Sequence, residues 1–330
     1  VNAFVGVVGD IGGTNTRLGA VRAGNPLPEQ VWAVQNADFP TFSAALTAYL
    51  SKIGTARVPS VCLAIAGPVT DARVELTNHD WAIDSAEITA NVGAEQVRLL
   101  NDLQALAFSL DNASANKPRQ LAGSAAPPEA APRLVIGVGT GFNAALLLPA
   151  TGDDPGQVLA AECGHMTLAI EDAVELRLRD HLAQGRGRAS VERALSGRGL
   201  EEIYEWLAAE AGAAGKTMSG QAISTLARNG GDRLCRLAAE TLLRLLARTA
   251  GDLALAYLPM GGVYFAGSVA RALEPIMRDV GFHDLFVQKG RQTDLLRSIP
   301  LFLIEDDKAA LFGCAAHQRQ SGDMQRENQS

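Results

Sequence analysis

The stretch that most constrains this chain is its first apolar run and the turn that follows, Val5-Gly6-Val7-Val8-Gly9-Asp10-Ile11-Gly12-Gly13-Thr14-Asn15-Thr16-Arg17. Residues 5–10 are apolar and β-branched, as in a strand covered on both faces. Residues 16–21 alternate like the returning strand of a hairpin. The run ends in a carboxylate and two glycines, then threonine, asparagine and arginine. A structural turn accounts for Gly12 and Gly13 but not for Thr14, Asn15 and Arg17 together, so the turn reads as the phosphate end of a nucleotide site. Residues 134–138 and 144–148 flank a second glycine-threonine turn, Gly139-Thr140-Gly141-Phe142-Asn143, and two such hairpins could grip a phosphate chain.

The rest of the chain alternates helical and strand patterns, which is an α/β fold. Residues 41–53 place Phe42, Ala45, Leu46, Tyr49, Leu50 and Ile53 on one helical stripe. Strands are expected at 60–66 and 97–100, the latter ending in Asn101-Asp102 before a helix at 103–110. A carboxylate at the C-terminal end of a strand is where α/β sheets place their chemistry. Residues 112–133, rich in Ala, Pro, Ser and Gly, form the best candidate for a loop or linker. Helices are expected at 172–184, 190–195, 200–211, 219–229 and 233–257, the last apolar on most faces and therefore central. A glycine-bracketed strand at 261–268, a strand at 301–304, a helix at 309–319 and a disordered polar tail at 321–330 complete the reading.

Composition excludes several classes. At 330 residues the chain can build two packed domains or one large one. Its net charge is −7 and no Lys/Arg cluster is present, so neither nucleic acid nor an anionic membrane surface is an expected partner. Cys62, Cys163, Cys235 and Cys314 form no CxxC pair, which fits a reducing cytoplasm rather than a zinc knuckle or a disulfide framework. The first residues lack a basic region and the apolar run is broken by Gly6, Gly9 and Asp10, so no signal peptide is expected. Asp252, Pro259 and Gly261-Gly262 likewise interrupt residues 250–270 before a membrane span is reached. A soluble cytoplasmic protein is expected.

Three familiar motifs fail on inspection. Gly215-Lys216-Thr217 lacks the earlier P-loop glycine, since Glu210 stands there; Phe142 replaces the third glycine of a dinucleotide fingerprint beginning at Gly137; and Glu162 and His165 form a lone ExxH pair without partner ligands. By residue type alone Asp102 reads as a helix cap, Glu192 as a first-turn acid and His165 as a core histidine. Their joint occurrence is what lifts them above those readings.

Taken together, Gly9 to Arg17, Ala64-Ile65-Ala66-Gly67-Pro68-Val69, Thr77-Asn78-His79-Asp80-Trp81, Leu100-Asn101-Asp102, Gly139-Thr140-Gly141, Glu162-Cys163-Gly164-His165, Glu192 to Gly197, Gly261 to Gly267 and Lys289-Gly290-Arg291 resemble the bacterial glucokinases of the hexokinase/actin-like ATPase superfamily over nearly the full length. The absence of a cysteine-rich zinc motif points to the zinc-free group rather than the ROK group. The resemblance implies two actin-like ATPase (ribonuclease H-like) domains flanking a cleft, a small one of residues 1–112 plus about 306–330 and a large one of 113–305. It implies ATP-dependent phosphorylation of D-glucose to glucose 6-phosphate, the first step of glycolysis, by a cytoplasmic homodimer.

Carried across, Asp102 is the general base; Asn78, Asn101, Asp102, Glu162, His165 and Glu192 are sugar contacts. Asp10, Gly12, Gly13, Thr14, Asn15, Arg17, Gly139 and Thr140 hold the phosphates, and Gly262 and Gly267 match the adenosine-binding strand. Asp10 orients Mg2+ through water. The alternatives are a kinase for another hexose or an amino sugar, and a sugar-binding regulator without catalysis, against which Asp102, Asp10 and Thr140 argue. Three departures stand out, since Asn143, Cys163 and Ser268 each replace a glycine of the family pattern. If residue 143 needs a positive φ, asparagine tolerates it. A side chain there is expected to weaken ATP binding, and Cys163 to shift Glu162 or His165.

Overall fold

The first hairpin fixes the first sheet. The computed structural model describes residues 4–23, 25, 27–67, 69, 72–76, 79–111, 117–123, 126–128, 130–150, 156–213, 215 and 217–327, with 320–327 as backbone only. The chain divides into two compact units, residues 1–117 with 306–330, and residues 118–305.

In the first unit β1 (Phe4–Ile11) and β2 (Asn15–Arg22) pair antiparallel, with β3 (Glu29–Gln35) continuing beyond β2. There follow α1 (Phe42–Lys52), β4 (Ser60–Ile65), the short β5 (Arg73–Glu75) and β6 (Ala82–Asp84), α2 (Ser85–Val92), β7 (Gln96–Asn101) and α3 (Asp102–Ser109). Among the described residues the sheet runs β3-β2-β1-β4-β7, with β1, β4 and β7 parallel. Parallel neighbours require crossovers, and α1 and α2 supply helices for them. Alternation along the strands sends Val7, Ile11, Leu63 and Ile65 into one core with Phe42, Leu46, Tyr49 and Ile88.

The second unit contains β8 (Arg119–Ala122), β9 (Arg133–Val138), β10 (Phe142–Leu148), β11 (Gln157–Ala160), α4 (Ala173–Ala183), α5 (Val191–Ala194), α6 (Gly197–Glu210), α7 (Gly220–Asn229), α8 (Arg233–Tyr257), β12 (Val263–Ala266), α9 (Ser268–Val280), α10 (Phe282–Val287), α11 (Thr293–Arg297) and β13 (Leu301–Leu303). Its sheet runs β11-β10-β9-β12-β13-β8 among the described residues. α8 is capped by Asp232, whose side chain accepts from Cys235 N at 2.9 Å. It buries Leu242, Leu243, Leu246 and Ala250 and packs against α6, α7, α9 and α10, the central position its apolar faces predict.

The chain then re-enters the first unit as α12 (Ala309–Glu327). This corrects the expected tail, because residues 321–327 are helical; residues 328–330 lie outside the described residues. Leu311, Cys314 and Ala315 are buried and anchor the helix, and propagation from a formed helix is far easier than nucleation. α12 packs on β1, β4 and above all α3. Among the described residues no helix is long and apolar enough to cross a membrane.

The α3–α12 contact depends on Gly313, where an added Cβ would strike the Ala105 carbonyl and crowd Ser109 N at 3.0 Å. Gly313→Ala is expected to destabilise the fold by about 1–3 kcal/mol, the usual cost of overpacking. The variant should also turn over more slowly, since α3 begins at Asp102. Thermal melting and steady-state kinetics check both effects.

Candidate active site

Asp10 is the penultimate residue of β1, and the antiparallel register places it opposite Arg17. The Arg17 guanidinium lies 3.4 Å from Asp10 Oδ2 and 2.7 Å from Asp307 Oδ2. Burial pushes the Asp10 carboxyl above its ordinary 3.8, and Arg17 draws it back only in part. The turn beyond is closed by Gly12 N donating to Asn15 O at 3.0 Å. It is locked by Asn36, which is fully buried. Asn36 N donates to Thr14 O and Asn36 Nδ2 to Gly12 O, while the Thr16 hydroxyl donates to Asn36 Oδ1, each at 2.8 Å. With the backbone so held, Thr14 and Asn15 stay exposed at the tip. Residue type could not signal Asn36, because its partners lie twenty or more positions away.

Across the parallel strands Asp10 is level with Ala64 and Ala64 with Leu100. Asp10 and the Asn101-Asp102 pair therefore end at one edge of the sheet, roughly 10 Å apart at two strand spacings. Asn101 caps α3. Its Oδ1 accepts from Leu103 N at 2.9 Å, its N donates to Gln104 Oε1 at 3.0 Å, and its Nδ2 donates to Gly67 O at 2.7 Å. Asp102, which by residue type looked like the cap, is the first residue of the helix, and its Oδ1 accepts from Leu103 N at 2.9 Å. A helix N-terminus favours a negative charge there. Asn78 lies outside the described residues. Nearby, the His79 and Trp81 rings meet edge-on at 5.0 Å between centroids.

In the second unit the Thr140 turn is closed by Gly139 N donating to Gly141 O at 3.0 Å, and Gly139 O accepts from Gly197 N at 2.8 Å where α6 begins. Gly267, at φ 99°, ends β12 beside it, and a Cβ there would strike the Val138 carbonyl. A cavity of about 650 Å3 opens against Thr140 and Gly197, flanked by Arg186, Arg198, Glu201 and Glu205. Gly262 is not brought to this place. It precedes β12 at the opposite end, buried, where a Cβ would meet the Phe302 ring at 2.9 Å and Pro300 O at 3.1 Å, so its missing side chain serves packing.

Glu162, His165 and Glu192 gather around the start of β10. Glu192, on α5, accepts from Phe142 N at 3.0 Å. The turn Cys163–His165 is pressed onto the same strand, since a Cβ on Gly164 would strike the Phe142 carbonyl. Asn143 Nδ2 donates to Glu162 Oε2 at 3.2 Å, and its Oδ1 accepts from Cys163 N at 2.9 Å. Glu162 and His165 are otherwise exposed. Two carboxylates and an imidazole so placed can pair with hydroxyls that both donate and accept. Asn143 sits in regular β10 opposite Gly137, and Gln30 and Leu258 are the non-glycine residues with positive φ among those described, so no left-handed strain arises at 143. Cys163 points into the core with Phe142, and burial pushes its thiol up.

The sequence profile of the family described as Glucokinase matches residues 7–321. Among curated relatives, the chain is 33% identical to the glucokinase of Mesorhizobium japonicum, an alignment covering 95% of this chain and 91% of that one. Among solved structures it is similar to a glucokinase from an Antarctic psychrotroph, with TM-score 0.82, 30% identity and coverage of 95% and 98%. A ROK family glucokinase from Streptomyces griseus, solved with glucose and AMPPNP, shares the fold at TM-score 0.64 and 22% identity, covering 95% and 99%.

The raised Asp10 pKa has a testable consequence. A carboxyl that binds its proton more tightly in the folded than in the unfolded state contributes stability at low pH that is lost as pH rises from 3.8 through the higher folded value. Asp10→Asn removes that loss. The melting temperature of the variant relative to the parent is expected to rise between pH 4 and pH 7, and a constant difference would contradict the burial argument.

Proposed function

This chain belongs to the glucokinase family and catalyses ATP-dependent phosphorylation of D-glucose, and within that reaction we propose that Asp102 is the general base. The observation that carries the proposal is the placement of Asp102 at the end of β7 and the first turn of α3, on the same sheet edge as the Asp10 hairpin. The Asp102 carboxylate takes the proton of the sugar 6-hydroxyl, the oxygen bonds to the terminal phosphorus of ATP, and the bond from that phosphorus to the bridging oxygen breaks to release ADP. The product is glucose 6-phosphate.

Asp10, Gly12, Gly13, Thr14, Asn15 and Arg17 suit phosphate in the first unit, and Gly139 and Thr140 suit it in the second, through backbone N–H groups and hydroxyls. The cavity beside Thr140 takes the nucleoside, its volume lying in the range of small-molecule sites. Glu162, His165 and Glu192 of the second unit suit sugar hydroxyls, as Asn101 and Asn78 do in the first. Polar groups of this kind reject a deoxy analogue once the bound sugar covers them and leaves one unpaired.

A Mg2+ ion suits the Asp10 end of the hairpin, where a desolvated carboxylate offers a hard oxygen. Bound there, it would neutralise charge on the phosphates, with Asp10 orienting it through water. The division into residues 1–117 with 306–330 and residues 118–305 supports the reading of a small and a large domain, with the first boundary five residues later than the expected 112. Cytoplasmic location is supported by four free, buried thiols; the homodimer rests on the family resemblance.

Asp102→Asn is expected to lower kcat about 10²–10⁴-fold, while glucose binding followed calorimetrically stays near that of the parent. Retention of kcat by the variant would remove Asp102 from the role.

A further inference from the structure

Asn143 lies one residue into β10, and its side chain makes two hydrogen bonds to the loop that carries Glu162. We propose that Asn143 is a positioning residue that sets the Glu162 carboxylate for a sugar hydroxyl, so that this chain reads its hexose through an Asn143–Glu162 pair. The inference rests on the reading of Glu162 as a sugar contact.

The amide Nδ2 engages Glu162 Oε2 at 3.2 Å, which leaves Oε1 as the oxygen to receive a hydroxyl. The amide Oδ1 engages Cys163 N at 2.9 Å and so fixes the backbone on which the carboxylate stands. Two further contacts give that loop a single seat. The Cys163 side chain is buried in the core, and Gly164 lies so close to the Phe142 carbonyl that no side chain fits between them. An exposed glutamate with three free torsions would lose rotamer freedom on binding a sugar, whereas one already held by an amide loses less. A glycine at 143 would remove both bonds and leave Cys163 N without this acceptor. The Thr140 turn closes through its own Gly139–Gly141 bond, in which the Asn143 side chain takes no part. The effect of Asn143 is therefore expected on sugar affinity rather than on ATP affinity.

Asn143→Asp is nearly isosteric and keeps the acceptor for Cys163 N, but sets a like charge against Glu162. It is expected to raise KM for glucose about tenfold, with KM for ATP and the melting temperature close to those of the parent. Asn143→Ser, which lacks the reach but adds no charge, should show a smaller rise in the same parameter and guards against misfolding of the first variant. Glu162→Gln should also raise KM for glucose. The double variant Asn143→Asp with Glu162→Gln restores a donor-acceptor pair of reversed polarity, so its KM for glucose should lie below the product of the two single effects. Calorimetric titration with glucose, without ATP, supplies the same comparison free of turnover. An unchanged glucose KM in both Asn143 variants, beside a raised one in Glu162→Gln, would overturn the positioning role alone. So would an equal rise in KM for glucose and ATP, the mark of a merely structural residue. An unchanged glucose KM in Glu162→Gln would overturn the sugar-contact reading, and the inference with it.

Discussion

A carboxylate at the end of a doubly covered strand is costly to ionise, and much of the first unit is arranged around Asp10 for that reason. Hairpin register alone brings a cation opposite it, because pairing Ile11 with Thr16 forces Asp10 against Arg17. Arg17 is shared with Asp307, which stands just before α12, so the return of the chain to this unit helps to set the electrostatics of its first strand. The compensation is partial, and Asp10 keeps a raised pKa. A carboxylate whose charge is not already fully satisfied suits the phosphate and cation roles proposed for this turn. Asn36 completes the arrangement by tying down the turn with three bonds, leaving the exposed tip free for a ligand.

The acids at the start of β10 in the second unit are held differently. Glu192 and Glu162 are tied to β10 not by cations but by a backbone N–H and a side-chain amide, both at the first two residues of the strand. The same two residues follow directly on the Thr140 turn. Acids suited to sugar hydroxyls and a turn suited to phosphate are thereby mounted on one rigid element. Gly164 and Gly267 show the tolerance of this construction, since a methyl group at either would collide with backbone.

Much of this was legible in the sequence, and what escaped did so for identifiable reasons. The strand before Asp10, the long α8 and the strand ending at Asn101 announce themselves through local apolar patterns. β3 is half exposed and carries no such pattern, so it passed unread. Asn36, Asp307 and the bonds of Asn143 depend on partners distant in sequence, which composition and spacing do not encode. Asp102 looked like a cap because caps are chosen by residue type; the neighbouring Asn101 took that place. Gly262 looked equivalent to Gly267 because both flank one strand, yet a four-residue strand separates its two ends, and only Gly267 reaches the Thr140 turn. The polar end of α12 looked disordered because its order comes from propagation out of a buried anchor rather than from its own residues.

The most direct test of the account is a crystal structure of the protein with D-glucose and a non-hydrolysable ATP analogue. The account predicts the sugar 6-hydroxyl oxygen within about 2.6–3.2 Å of an Asp102 carboxylate oxygen, with the phosphates against the turn between Asp10 and Arg17. A 6-hydroxyl facing away from Asp102, or phosphates bound elsewhere than that turn, would contradict it.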